Sequence, residues 1–220
     1  MSGEPAQLAW LAAGWAAYFA FHSLAASLRL KTWLAGRWPR LVPGYRLLFN
    51  TLAVVLILPL AWLTFTWPGP ALWEWTGAWR WAADGAALAA IGLFAWSLRF
   101  YDGGSFVGWR QWREGQRGVH DTERLHISPM HRYVRHPWYA LGLVVVWTRS
   151  MDAAMLVTAL AITVYLVIGS RLEERKLLVY HGEAYRRYME RVPGLIPLPW
   201  RRLKSGEAEC IAALARSRRD

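Results

Sequence analysis

The sequence predicts an all-α integral membrane protein with about five transmembrane helices and a polar C-terminal part on the cytoplasmic side. Composition is the first observation: 55% of the 220 residues are hydrophobic and 16 are tryptophan, which is too apolar for an ordinary soluble domain. The apolar residues also form separate blocks of membrane-spanning length. Finally, Lys and Arg are distributed unevenly between the blocks, as they are in membrane proteins of fixed orientation.

Five apolar blocks account for the predicted helices. The first two, Leu8–Leu28 and Leu47–Trp67, each run for 21 residues without an acidic residue, a lysine or an arginine. About 20 apolar residues span the hydrocarbon core as a helix. The remaining blocks are Ala86–Leu98, Trp138–Trp147 and Ala153–Gly169. We expect the fourth helix to be short or tilted, and the first to be a retained span rather than a signal peptide, because no basic residue precedes it.

Basic residues alternate between the two ends of these helices. Five Lys or Arg lie in 29–46 and seven in 99–136, whereas 68–81 holds one, and twelve more follow Gly169. Since cytoplasmic loops are enriched in Lys and Arg, we expect the N-terminus outside and the C-terminus inside. The net charge of +11 then has two roles: the basic residues set the orientation of the protein and contact anionic lipid head groups. Without a recognition module, it does not indicate nucleic-acid binding.

The decapeptide YVRHPWYALG, residues 133–142, changes abruptly from polar to apolar. Arg135 and His136 at the mouth of an apolar run are costly unless they have partners. Pro137 is suited to the first turn of a helix, where its missing N–H costs nothing. The segment therefore predicts a polar loop that becomes a membrane helix at the proline.

Paired acids, Glu173 and Glu174, directly follow the fifth apolar block. Consecutive helical residues point about 100° apart, so we expect at most one carboxylate to face a given pocket squarely. The other is expected on the solvated face beside Arg175 and Lys176. Which of the two faces the pocket is left open.

Several kinds of site are not predicted. No metal site is expected, because four histidines of the inner loop lie five or six residues apart and form no H-E-x-x-H pattern; they are His120, His126, His131 and His136. Neither Ser105 nor Ser128 lies in the G-x-S-x-G elbow of acyl-transfer enzymes. The single cysteine, Cys210, offers no disulfide.

Four motifs in order carry a family resemblance. They are Arg135-His136-Pro137-x-Tyr139, Glu173-Glu174, Gly182-x-x-Tyr185-x-x-Tyr188 and Val192-Pro193-x-Leu195-Ile196-Pro197. Over about 70 residues, this C-terminal half resembles the isoprenylcysteine carboxyl methyltransferase and phospholipid methyltransferase superfamily. That superfamily usually has Gly-Pro-Tyr just before the Arg-Tyr-x-Arg-His-Pro string, whereas this chain has Pro129-Met130-His131.

The N-terminal half resembles a narrower bacterial branch. The segments FHSLAAS, YRLLFNTLAVVLILPL and FVGWRQ are similar to membrane-bound thiol S-methyltransferases that methylate methanethiol. The resemblance implies an enzyme of the bacterial inner membrane that transfers a methyl group from S-adenosylmethionine to a small or lipophilic acceptor. An isoprenylcysteine-type carboxyl O-methyltransferase, a sterol-type reductase and a non-enzymatic membrane homologue remain as alternatives.

The resemblance also implies which residues hold the methyl donor at the cytoplasmic mouth. An Arg fork or a helix N-terminus suits its carboxylate, a Glu suits its ammonium, and aromatic walls suit its adenine. The expected donor-binding residues are Arg135, His136, Tyr139, Glu173, Glu174, Tyr185 and Tyr188.

The catalytic residue depends on the chemistry of the methyl acceptor, so three candidates are left open. A carboxylate acceptor arrives ionised, whereas a thiol needs a base or a positive field, because the thiolate is the nucleophile. Arg110, His131 and His136 are the candidates. The loop 99–136 holds seven arginines and four acids, and this excess of positive charge favours an anionic nucleophile over a phospholipid amine. Together with the resemblance of FVGWRQ and the first two helices to thiol S-methyltransferases, this excess predicts a thiol; the charge alone leaves a prenylcysteine carboxylate open.

The whole of 1–204 is predicted to be one membrane methyltransferase domain. Within it, 1–100 form a three-helix N-terminal part and 101–204 the donor-binding and catalytic part. The remaining residues, 205–220, are short and charged, and we expect them to be a frayed polar tail.

Overall fold

The computed structural model describes residues 3–116, 125–198 and 200–217. Some residues that entered the charge and histidine patterns lie outside the described residues; they are Arg117, His120, Asp121, Glu123 and Arg124. The last three residues of the predicted tail also lie outside them.

Helices make up nearly all of the described chain, which confirms the all-α prediction. In order they are α1 (Gly3–Ala26), α2 (Leu28–Arg37), α3 (Val42–Thr66), α4 (Gly77–Ser97), α5 (Gly103–Val107), α6 (Trp109–Arg113), α7 (Pro137–Trp147), α8 (Ala153–His181), α9 (Glu183–Arg191) and α10 (Ser205–Ser217). Two short strands, β1 (Ala71–Trp73) and β2 (Met151–Asp152), pair antiparallel.

Four helical segments of the described chain are long and apolar enough to cross a membrane: Pro5–Ala26, Pro39–Thr66, Gly77–Phe100 and Ala153–His181. The predicted fourth helix, α7, is short as expected, since its 11 residues reach about 16 Å at 1.5 Å per residue, against a hydrocarbon core of about 30 Å. In contrast, the 29 residues of α8 reach about 43 Å, so this helix continues beyond the membrane core.

Contacts divide the chain into two compact units. The first unit contains 1–76, 101–121 and 150–161, and the second contains 77–100, 122–149 and 162–220. This division is discontinuous in sequence, because chain segments return to each unit. The predicted division of the domain 1–204 into the parts 1–100 and 101–204 differs from these units and stays a prediction.

A buried polar network joins three helices of the first unit. Thr158 of α8 accepts a hydrogen bond from Nε1 of Trp15 in α1 at 3.0 Å, and its hydroxyl lies 2.8 Å from that of Thr64 in α3. Hydrogen bonds between small polar side chains stabilise helix packing where lipid removes the hydrophobic driving force. The network therefore sets the register of these three helices.

Strand pairing in the first unit joins the ends of two of its helical segments. β1 follows α3, and β2 immediately precedes α8, so their pairing places the end of α3 and the start of α8 at the same end of the unit. The backbone N–H groups of Ala153 and Ala154 donate to the carbonyl oxygens of Pro70 and Pro68 at the same place.

The FVGWRQ segment forms a helical hairpin, α5 and α6, against α3. Nδ2 of Asn50 donates to the carbonyl oxygens of Phe106 and Val107 at 3.1 and 2.9 Å. Gly108 joins the two helices with φ +100°, and a Cβ there would lie 2.6 Å from the backbone nitrogen of Leu47. Only glycine fits both this backbone conformation and this close approach.

In the second unit, α7 packs along α4. Nε1 of Trp138 donates to the hydroxyl of Ser97 at 2.7 Å near the start of α7. Beyond its other end, Nη1 of Arg149 lies 3.0 Å from Oδ1 of Asp84, the acid inside the third apolar block. Intramembrane charges require partners of this kind. These two contacts fix α7 at both ends.

Helix α10 corrects the expectation of a frayed tail. Its residues Ala208, Ile211 and Ala215 are buried against α9 in one apolar cluster with Tyr185 and Tyr188. The apolar residues of the tail recur at helical spacing, although the segment also holds many charged residues, and this spacing is typical of a helix with one buried face. Residues 205–217 are thus part of the second unit's core.

Candidate active site

The start of α7 is built as the decapeptide predicted. Pro137 is the first helical residue, and His136 precedes it with extended backbone at φ −120°. The chain before it is held by the loop that follows α9: the N–H groups of Arg135 and His136 donate to the carbonyl oxygens of Pro193 and Gly194 at 2.8 and 3.1 Å. The first and fourth motifs of the family resemblance therefore pair with each other.

Arg135 and Glu174 form a buried ion pair. Nε and Nη2 of Arg135 lie 2.8 and 2.7 Å from Oε1 of Glu174, and the two side chains are 11% and 12% exposed. Nη1 of Arg135 donates to the carbonyl oxygens of Met189 and Val192 at the end of α9. Cations are favoured at helix C-termini, where carbonyl groups lack helical partners. The guanidinium thus joins α8, α9 and the start of α7.

The His136 ring lies between the two glutamates of α8. Its Nε2 is 3.0 Å from Oε1 of Glu174 and its Nδ1 is 3.5 Å from Oε2 of Glu173. Both carboxylates thus contact one imidazole, and the expectation that at most one of them faces a ligand pocket squarely stays a prediction. The backbone directions do differ by about 100°, but each long Glu side chain has enough rotatable bonds to reach the same imidazole.

Glu173 and Glu174 nevertheless differ in exposure. The side chain of Glu173 is 46% exposed, against 12% for Glu174. Tyr139 lies on the same side as Glu173. Its ring stacks on that of His136, with the ring centroids 5.3 Å apart and 10° between the planes. Its hydroxyl donates a hydrogen bond to Oε2 of Glu173 at 3.4 Å. Glu173 is thus the carboxylate that can meet a ligand, whereas Glu174 is committed to Arg135 and His136.

Two histidines of the site have opposite charge preferences. Burial lowers the pKa of His136, but the hydrogen bonds that its ring donates to Glu173 and Glu174, together with their negative charges, outweigh burial, so the net pKa is raised above its ordinary value. For His131, burial lowers the pKa to about 4, and repulsion from His126 and His136 acts in the same direction. His136 therefore favours the imidazolium, and His131 is neutral at physiological pH.

Tyr185 and Tyr188 lie behind the site. They are 1% and 2% exposed and belong to the core between α9 and α10. The hydroxyl of Tyr188 donates to the carbonyl oxygen of His131 at 2.6 Å, which supports the segment before α7. Burial also raises the pKa of Tyr185, so its hydroxyl stays protonated. Their predicted part in holding an adenine stays a prediction.

Arg110 belongs to the first unit, on α6. Its Nη1 lies 2.9 Å from Oδ2 of Asp102, which also accepts the hydroxyl hydrogen of Ser105 at 2.7 Å. The hydrogen bond from Ser105 lowers the pKa of Asp102, and the charge of Arg110 adds to this effect. Arg110 is thus a paired cation on the α5–α6 hairpin, and its predicted catalytic part stays a prediction.

Ser128 is the site residue that sequence reasoning missed. It is 2% exposed, and its Oγ lies 2.8 Å from Nδ1 of His131. The available signal was its spacing three residues before a histidine across Pro129, which favours a tight turn. Serine had been considered only as a nucleophile.

Curated relatives of the chain are uniformly methyltransferases. A methanethiol S-methyltransferase of Crocosphaera subtropica is 30% identical over 197 residues, covering 80% of this chain and 69% of the relative. That of Mycobacterium tuberculosis is 33% identical over 192 residues, covering 82% and 74%. That of Pseudomonas deceptionensis is 42% identical over 69 residues, or 31% of this chain and 26% of the relative.

No protein-family model matches the chain, and no solved structure matches it. The similarity to the Crocosphaera and Mycobacterium proteins covers about four fifths of this chain and more than two thirds of each relative. With its long apolar helices, the chain belongs to the methanethiol S-methyltransferase family and is an integral membrane methyltransferase.

Proposed function

We propose that this protein transfers a methyl group from S-adenosylmethionine to a small or lipophilic thiol, with the donor held at the start of α7. The observation that carries the donor part is the half-exposed carboxylate of Glu173, which lies beside a charged, stacked pair, His136 and Tyr139. Methanethiol is the acceptor named for the curated relatives, and we extend it to this chain as the first candidate.

The chemistry of these side chains fits the donor. A carboxylate is the natural partner of the donor's ammonium group, and Glu173 presents one. Aromatic faces suit an adenine or a sulfonium, and Tyr139 presents one. Since the guanidinium of Arg135 is bonded to Glu174 and to backbone carbonyls, we assign the donor's carboxylate to the first turn of α7 instead. When bound, the donor supplies an electrophilic methyl group.

A thiol acceptor also fits the charge of the inner segments. The described parts of 99–136 contain five arginines and two acids: Arg99, Arg110, Arg113, Arg132, Arg135, Asp102 and Glu114. A positive field favours a thiolate over an ammonium head group. Of the predicted catalytic histidines, His136 favours its imidazolium, whereas His131 is neutral and has a ring nitrogen with a lone pair.

A parallel acceptor assay tests this function. The detergent-purified protein receives methyl-labelled donor with methanethiol, longer alkyl thiols, a farnesylcysteine analogue or phosphatidylethanolamine. We expect label in the thioethers, because the positive field favours an anionic acceptor over an amine and methanethiol is the acceptor named for the relatives. Label confined to the phospholipid would contradict the proposal. Label confined to the farnesylcysteine analogue would favour carboxyl methylation instead.

Orientation in the membrane is a further part of the proposal. We place the N-terminus in the periplasm and the C-terminus in the cytoplasm of a bacterial inner membrane, with 1–204 acting as one methyltransferase domain. A reporter inserted after Trp75 should then give an external signal, and one fused after the last residue an internal signal. Fusion at the end keeps α10, which is part of the core. Equal signals at both positions would rule out this topology.

A further inference from the structure

Ser128 and His131 form a hydrogen-bonded pair at the point where this chain departs from its superfamily's usual Gly-Pro-Tyr string. The Oγ of Ser128 lies 2.8 Å from Nδ1 of His131, and Ser128 is 2% exposed. Among the residues that the structure describes, no protein group is bonded to the other ring nitrogen, Nε2 of His131. One side of the imidazole is therefore fixed, and the other can meet a ligand.

The surrounding fold holds this pair in place. Before it, Leu125 and Ile127 pack against the apolar cluster of α9 and α10. After it, the hydroxyl of Tyr188 donates to the carbonyl oxygen of His131 at 2.6 Å. Between them, Pro129 begins the tight 3-10 turn of residues 130–132. The position of the imidazole is thus set by tertiary contacts on both sides of the turn, as a reactive group requires.

His131 is uncharged before the reaction. Burial lowers its pKa to about 4, and the neighbouring charges of His126 and His136 act in the same direction. The ring is therefore neutral at physiological pH, with one nitrogen carrying hydrogen and the other a lone pair. Which nitrogen carries the lone pair is decided by the hydrogen bond at the opposite nitrogen.

We propose that Ser128 is a positioning residue that accepts the hydrogen bond from Nδ1–H of His131, so that Nε2 takes the proton of the acceptor thiol. This inference rests on the proposed thiol methylation. In the step, the thiol sulfur forms a bond to the methyl carbon as its proton passes to Nε2. The bond between that carbon and the donor's sulfonium breaks, and its electron pair remains on the donor sulfur. The products are two neutral thioethers and an imidazolium, which later loses its proton to solvent.

Other groups of the second unit are less suited to this task. Both ring nitrogens of His136 face carboxylates, so it offers no free lone pair. Glu174 is bonded to Arg135 and His136. Glu173 is assigned to the donor's ammonium. His131 is the neutral base that remains among the described site residues.

The test compares two thiols that differ in acidity. An alkyl thiol is protonated at neutral pH and needs a proton acceptor, whereas a thiophenol is largely ionised and does not. We expect H131N to lower kcat for the alkyl thiol by about 100-fold and S128A by about 10-fold, within the usual range for acid–base groups and their orientation. With the thiophenol, both variants should lose less than about 3-fold.

Matched variants separate positioning from folding. S128T restores a hydroxyl and should recover most of the alkyl thiol rate. S170A removes another buried serine of the unit, whose hydroxyl donates to a carbonyl of its own helix, and it should leave kcat unchanged. Donor binding by calorimetry should be unchanged in S128A and H131N.

The ratio of the two rates makes the result independent of the folded fraction of each variant. Equal losses with both thiols, or no loss with either, would overturn the role of Ser128 and His131. If the wild-type protein transfers label to neither thiol, the proposed function itself fails and this inference falls with it. The wild-type measurement therefore distinguishes the two failures.

Discussion

Replacing Arg135 with alanine is expected to abolish measurable donor binding and to lower the melting temperature strongly. The substitution leaves Glu174, only 12% exposed, as a buried carboxylate without its guanidinium partner. Removing one partner of a buried ion pair costs about 3–5 kcal/mol. The carbonyl oxygens of Met189 and Val192 lose a donor as well, which frees the end of α9. Scanning calorimetry in detergent and titration with the donor would measure both effects.

A surface arginine provides the matched control for this substitution. Arg187 forms an exposed i,i+4 pair with Glu183, and Arg187→Ala should change stability by less than about 0.5 kcal/mol. The double variant Arg135→Met with Glu174→Gln removes both charges and should recover part of the lost stability. If Arg135→Ala melts like the wild-type protein, the buried pair does not hold the second unit together.

Replacing Glu173 with glutamine is expected to weaken donor binding by about 10- to 100-fold while the melting temperature changes little. A charge-assisted contact contributes about 1.5–3 kcal/mol, which corresponds to that range of affinity. Glu173 is half exposed, so its loss leaves little buried charge unpaired. Glu174→Gln should instead lower both stability and binding, because it removes the partner of Arg135. The structure thus favours Glu173 as the ligand-facing acid of the pair.

The titration of His136 supplies a second measurement on the same variant. Burial lowers its pKa, but the bonds and charges of both glutamates raise it more, so the imidazolium is stabilised in the folded protein. That stabilisation is present below the ordinary pKa of histidine and is lost as the pH rises through the raised value. In Glu173→Gln, the midpoint of this loss should move to lower pH. Unchanged donor affinity together with an unchanged midpoint would remove Glu173 from the site.

The long apolar helices could be predicted from the sequence alone, because the length of an apolar block and the residues that begin a helix act locally. Uncharged blocks of spanning length became α1 and α3, and the short fourth block became the 11-residue α7. Pro137 began that helix as its missing N–H required. The segments FHSLAAS, YRLLFNTLAVVLILPL and FVGWRQ also predicted the family, since such segments are a property of the chain alone.

Which polar side chains contact one another became clear only from the tertiary structure. Both glutamates reach His136, Arg135 is bonded within the protein, and Ser128 supports His131, although none of these pairings follows from helical spacing. The contacts of Arg135 and His136 depend on which segments meet after α8 and α9 pack, over separations of up to 57 residues, whereas Ser128 and His131 meet across one tight turn. The apparent tail became core for the same reason: α10 gains stability only by burying its apolar face against α9.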